Sequence, residues 1–324
     1  MLYTAWTALM SIREEIKFYG CANSQVREVS RMHRADDRLK TLEMMIDRII
    51  GKNPHSKEII NAFRPVMVER NRLVETLDLS PGDPGGMDGT RLKSGVPLIK
   101  QAALFHSEDP WEDIALSLIP AFKQGFPDLQ DDLDTLQGCI KNKTIDLYDY
   151  FKGPADDGEK IIEGWSARLN IRVLSFRLFF RTVMWVILHK RARNLAGYLR
   201  ESEWEKGYCP ICGSFPSISM IMEKSGQRWL HCFQCGHEWR FSRVICPYCE
   251  HEGQKGMTFF FVEDKKQEAV YTCDQCKRYL LTLNQISPIT EMDLDLSALG
   301  LAHLDILMRD KGLIPMALPE WNLS

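Results

Sequence analysis

Eight of the ten cysteines in this 324-residue chain fall into four Cys-x-x-Cys pairs, Cys209/Cys212, Cys232/Cys235, Cys246/Cys249 and Cys273/Cys276, all within 68 residues. A thiolate is a soft anionic ligand, and a Cys-x-x-Cys turn lets two sulfurs grip one metal ion while the backbone amides of the turn face them. Two such turns complete a tetrahedral four-thiolate site. Nineteen residues separate Cys212 from Cys232 and twenty-three separate Cys249 from Cys273, near the roughly 15–20 of zinc ribbons. Spacing alone leaves an interleaved pairing open. The repeat of Cys-Pro-Ile-Cys (209–212) as Cys-Pro-Tyr-Cys (246–249), each followed by an apolar stretch and a second pair, favours sequential pairing within a duplicated module. One site then comprises Cys209, Cys212, Cys232 and Cys235, the other Cys246, Cys249, Cys273 and Cys276.

Four thiolates close the coordination shell and leave no position for water or substrate, so these sites read as structural rather than catalytic. Iron–sulfur signatures crowd three cysteines into one short run, which is absent here. Mononuclear zinc or iron, one ion per site, is the expectation. Met1–Met10 carries no basic segment of the export type, so a reducing, cytoplasmic compartment is expected, where metal binding prevails over disulfides. His231, His237 and His251 sit beside the cysteines but are not needed as ligands. Cys21 and Cys139 stand alone and read as small hydrophobes. No Walker loop, G-x-G-x-x-G, G-x-S-x-G or H-E-x-x-H occurs, and no catalytic residue is assigned; the chain is not expected to be an enzyme.

The elements that must carry these sites are short strands: 220–222, 229–232 and 239–241 in the first module, 257–262, 269–272 and 279–283 in the second. The first 200 residues read as helical. Apolar residues recur at three- and four-residue steps in Leu39–Ile50 and Ile59–Leu77, predicting an antiparallel hairpin through Gly51–His55, with a further helix over Tyr3–Phe18. A Pro- and Gly-rich stretch from Ser80 to Gly89 predicts a mobile connector near 80–94. Helices are expected from Asp109 to Phe122, within Asp131–Phe151 and over Ile171–Leu188, with a break at Pro154–Gly158. The Ile171–Leu188 run holds Arg172, Arg177 and Arg181; each would cost about 2.5–3.5 kcal/mol at a bilayer centre, so a buried helix is expected and no membrane span. Leucines from 294 to 307 predict a C-terminal helix that docks on the body.

The net charge is -3, and residues 201–290 hold ten Lys or Arg against eleven Asp or Glu. No basic stripe invites nucleic acid. Trp204, Trp229, Trp239 and Tyr279, with Arg228 and Arg240, instead cluster round the knuckles. These are the residue types of interface hot spots, and Trp229, Trp239, Arg240 and Tyr279 are the candidate partner-binding residues. The resulting expectation is an α+β multidomain chain: a mainly α-helical N-terminal domain (1–200), two rubredoxin-like or zinc-ribbon modules (201–242 and 243–290) and a C-terminal helical tail (291–324).

The runs Tyr208–Pro216, Arg228–Trp239, Arg243–Cys249 and Cys273–Leu280, with Asp293, Asp295, Leu299, Leu304, Asp305 and Gly312 in the tail, resemble FdhE, the formate dehydrogenase accessory protein family. The resemblance covers residues 204–312. It implies a cytoplasmic maturation factor that binds the catalytic subunit of a molybdenum or tungsten formate dehydrogenase before export, with rubredoxin-like modules able to hold iron. All eight paired cysteines carry over as metal ligands. One departure is that Cys249 and Cys276 are followed by Glu250 and Lys277, where the first module has Gly213 and Gly236. A left-handed turn residue favours Gly, so the second site is expected to be more strained. A zinc-ribbon nucleic-acid binder and a thiol redox chaperone are the alternative readings.

Overall fold

The computed structural model describes residues 35–318 apart from 81–87, 102, 152–157, 200–203, 253–255, 264 and 288–291. The expected first helix (3–18), Cys21, most of the connector and most of the 154–158 break lie outside the described residues. Helix α1 (35–52) and α2 (Lys57–Thr76) form the expected hairpin. Arg38 pairs with Glu75, and Arg64 with Asp47, across it. Helix α3 (Gly89–Lys93) lies within the 80–94 stretch, started by Asp88, whose carboxylate accepts from the Thr90 amide.

Helices α4 (Trp111–Gly125), α5 (Gln130–Lys141), α6 (Leu147–Phe151), α7 (Gly158–Leu169) and α8 (Val173–Leu195) complete the body. Their core gathers Ile46, Ile60, Val66, Ile114, Phe122 and Phe179. Helix α8 is buried in protein, as its arginines foretold; Arg172 pairs with Asp132 at 2.6 Å. No helix among the described residues is long and apolar enough to cross a membrane.

In the C-terminal half the two expected ribbons share one sheet. Strands β1 (Pro216–Met222), β2 (Arg228–Cys232), β3 (Glu238–Phe241), β4 (Met257–Val262), β5 (Lys265–Cys273) and β6 (Arg278–Ile286) form one sheet in the order β3-β2-β1-β6-β5-β4. Each module is an antiparallel three-stranded ribbon. Parallel pairing of β1 with β6, Ile218 opposite Leu281 and Met220 opposite Leu283, fuses them. Since β4, β5 and β6 repeat β1, β2 and β3, the last strand of the second ribbon lies against the first strand of the first. This head-to-tail arrangement leaves β3 and β4 as the outer strands.

Alternation along β6 sends Tyr279 and Leu281 to one face and Leu280 to the other. The first face is covered by α9 (Leu294–Gly300) and α10 (Ala302–Asp310), two helices where one was expected. Helix α9 also inserts Leu296 and Leu299 into the core of the body, so it bolts sheet to helices. The short strand β7 (Ile314–Pro315) then pairs with the start of β6.

Candidate metal centres

Each knuckle is built the same way. The amide four residues beyond the first cysteine donates back to that cysteine's carbonyl: Gly213 to Cys209, Gly236 to Cys232, Glu250 to Cys246 and Lys277 to Cys273, at 2.8–3.0 Å. Closing the turn requires a left-handed residue, and all four positions have one, with φ of 77° and 68° at Gly213 and Gly236 and 56° at Glu250 and Lys277. The non-glycine pair pays the clash of Cβ with the carbonyl, roughly 1–2 kcal/mol each.

The four sulfurs of Cys209, Cys212, Cys232 and Cys235 lie within 4.8 Å of one another, and so do those of Cys246, Cys249, Cys273 and Cys276. The geometry resolves the pairing left open by spacing: it is sequential. Across the first cluster Cys209–Cys235 and Cys212–Cys232 stand at 3.5 and 3.4 Å; across the second Cys246–Cys276 and Cys249–Cys273 stand at 3.8 and 3.7 Å. A disulfide needs about 2.05 Å. A tetrahedral ion with bonds of about 2.3 Å to sulfur sets its ligands near 3.8 Å apart, so both clusters have the size of a mononuclear site. Each could hold one metal ion, and neither includes a histidine.

Burial opposes ionisation at Cys212, Cys232, Cys235, Cys246, Cys273 and Cys276. Hydrogen bonds from Cys209, Cys232 and Cys235 hold Cys212 well below the ordinary thiol pKa, whereas burial pushes Cys232 and Cys235 well above it. In the second cluster burial raises Cys246 to about 11 and Cys276 further. Burial also opposes ionisation of Cys273, but backbone hydrogen bonds from Cys276 and Gln275 outweigh it and lower its pKa. Four anions cannot share so small a volume without a metal.

Arg228 supplies an independent test of fit. Its side chain leaves the first ribbon at β2 and is only 1% exposed. Nε and Nη2 have no hydrogen-bond partner among the described residues. The guanidinium lies 4.7 Å over the Tyr271 ring, near the Ile245 carbonyl that precedes Cys246. Burial pulls its pKa down to about 10, while Tyr271 and the Cys246 sulfur favour its charge. A buried cation with no carboxylate beside it is costly. A four-thiolate centre with a divalent ion carries two negative charges, and Arg228, beside Cys246, is placed to offset one of them.

The first cluster is held by the helical body. His189 of α8 presses on the second knuckle so closely that a Cβ on Gly236 would come within 2.3 Å of its ring. The amides of Leu98 and Ile99 donate to the carbonyls of Pro210 and Ile211 in the first knuckle, both at 2.8 Å. Asp295 of α9 accepts from Arg70 of α2 at 2.9 Å, Trp185 of α8 at 3.1 Å and His231 of β2 at 3.0 Å. Burial would neutralise both Asp295 and His231, but Arg70 and His231 keep Asp295 ionised, and Asp295 and Glu238 raise His231 to about 9. His231, adjacent to Cys232, thus joins an ion network that fastens ribbon to body. Sequence reasoning missed this role; Asp295 was visible only as part of the tail resemblance.

The four candidate partner-binding residues are not brought together on one surface. Tyr279 is 1% exposed, its hydroxyl donating to Asp305 at 2.6 Å, and Trp239 is 5% exposed, its indole N–H donating to the Lys206 carbonyl. Both fill the sheet's own cores because alternation turns them inward. Trp229 is half-buried and Arg240 is exposed. Arg240 lines an open cleft of about 1210 Å³ where the ribbons meet, with Lys206, Arg243, Glu205, Glu250 and Glu252 also on its walls.

The fold is thus a helical body carrying two four-cysteine ribbons in one sheet, each cluster able to hold one metal ion. Residues 208–243 match the family model described as "FdhE, central domain". A protein named FdhE homolog from Aquifex aeolicus is 24% identical over 273 residues, 81% of this chain and 88% of that protein. Protein FdhE of Escherichia coli K12 is 40% identical over 85 residues, about a quarter of each chain at 25% and 26%. The crystal structure of the FdhE protein from Pseudomonas aeruginosa shares the fold, with a TM-score of 0.55, 17% identity and coverage of 85% of this chain and 92% of that one. These likenesses in sequence and fold all point to the FdhE family.

Proposed function

We propose that this chain is a cytoplasmic accessory protein that binds the catalytic subunit of a formate dehydrogenase and supports its assembly before export, without being an enzyme itself. The observation that carries the reading is the pair of closed four-cysteine clusters joined by one sheet, in a chain similar to FdhE proteins over most of its length. Cys209, Cys212, Cys232 and Cys235 hold one ion, and Cys246, Cys249, Cys273 and Cys276 a second, iron or zinc in each. Their chemistry is to brace small ribbons that bury too little surface to be stable alone. Arg240, on the wall of the cleft between the ribbons, and Trp229, its pairing partner on β2, contribute to the partner surface.

Anaerobic purification of the tagged protein tests this directly. Two metal ions per chain and co-purification of a formate dehydrogenase catalytic subunit are expected. Retention of nucleic acid with a steep salt dependence would support the zinc-ribbon nucleic-acid binder instead. Thiol modification of the native protein without metal loss would support the redox chaperone.

A further inference from the structure

Outer strands of a sheet carry a row of unpaired peptide groups, and proteins usually blunt them with charge, proline or short length. The edge at β3 is blunted: it has four residues, Glu238-Trp239-Arg240-Phe241, with the charged pair exposed. The edge at β4 is not. Met257-Thr-Phe-Phe-Phe-Val262 is six residues long and has neither a charge nor a proline. Phe260 and Phe261 are 42% and 56% exposed. Phe259 packs on Tyr271 of β5 with ring centroids 4.8 Å apart, which holds the strand flat against its only neighbour among the described residues.

The duplication shows what covers such an edge. In the first ribbon the equivalent strand, β1, is covered by β6, which runs parallel to it. Pairing Pro216 with Cys232 and Met257 with Cys273 aligns the two strands, so that Ile218, Ser219 and Met220 correspond to Thr258, Phe259 and Phe260. Those three residues of β1 pair with Leu281, Thr282 and Leu283 of β6. The outer side of β4 therefore repeats an edge that, in the other copy, takes an extended segment with apolar side chains on both faces.

We propose that β4 is a docking edge at which an extended, largely apolar segment of the client polypeptide adds to the sheet as a strand parallel to β4. This rests on the accessory reading above and specifies how the client is held: main-chain hydrogen bonds would give affinity, and Phe260 and Phe261, on opposite faces, would sort the side chains. A second copy related by two-fold symmetry would meet β4 with its own β4 antiparallel, not parallel as β6 meets β1.

Hydrogen exchange across residues 257–262, measured on the metal-loaded full chain with and without the catalytic subunit of formate dehydrogenase, tests the proposal. Protection of these amides on capture is expected. Phe260→Lys and Phe261→Lys, both at exposed positions, should each weaken capture about tenfold, the scale of one interface hot spot. Two ions per chain and unchanged exchange in β5 and β6 would show that the variants fold. Capture with no change in exchange at β4 would overturn the edge and leave the accessory reading standing. Protection that instead rises with the chain's own concentration would overturn it in favour of a second copy. No capture by the wild-type chain would overturn both.

Discussion

The two ribbons share a plan and differ in what they rest on. The first lies against the body: His189, the 98–99 segment and the Asp295 network press on both of its knuckles, and three of its four cysteines are buried. The second is attached through β6, β7, the Arg228 side chain and Lys265 of β5, which donates to the Lys52 carbonyl and to Asn53; two of its cysteines are half-exposed and its outer strand is open. Its turns use Glu250 and Lys277 in the left-handed region where the first uses glycine. Duplication supplied two copies of one metal-closed fold, and position then made one a foundation and the other an outward-facing unit.

Removing a ligand should separate them most strongly. Cys209→Ser and Cys246→Ser should each reduce metal content to one ion per chain, with a local loss set by the roughly 10–16 kcal/mol of a structural zinc site. Exchange should then rise through α8 and α9 in the first variant but stay within β4–β6 in the second. Equal spread would dissolve the distinction between foundation and outer unit.

Asp295→Ala strands the buried Arg70 and His231 charges. It should lower unfolding stability by about 3–5 kcal/mol in urea and loosen metal retention in the first ribbon before the second. Arg228→Met should act the opposite way round. Loss of the counter-charge should weaken metal retention at the second site by roughly 10-fold or more in chelator competition, as loss of a supporting group does elsewhere, with the first site unchanged.

The turn residues give the smallest effects. Lys277→Gly should stabilise the second ribbon by about 1 kcal/mol through relief of the left-handed strain, read as slower metal release. Gly236→Ala should destabilise the first ribbon by more than that strain alone, because the added methyl meets the His189 ring. A Gly236→Ala protein as stable as wild type would mean that His189 does not hold the knuckle.

Much of this was legible locally. The cysteine pairs, the strands that flank them and the strain at Glu250 and Lys277 depend on residues within a few positions of one another, where turn chemistry decides. Helix α8 was legible from its apolar run and its arginines. Helix α7 was missed although Ile161, Ile162, Trp165 and Leu169 carry helical spacing. Trp239 and Tyr279, candidates for partner binding by residue type, are buried, because aromatic type does not reveal which face of a strand meets solvent.

Residue type and spacing by themselves determined eight thiolate donors in four pairs, a helical first half and a balanced local charge round the knuckles. Only the tertiary structure decided that the two ribbons form one sheet, that Asp295 ties His231 to Arg70 and Trp185, that Arg228 crosses to the other ribbon's metal site and that β4 is left open. The reason is range. Coordination by Cys-x-x-Cys is specified by neighbours in sequence, whereas strand order and a buried ion network depend on partners as distant as Arg70 and Asp295, 225 residues apart, which only the packed chain brings together.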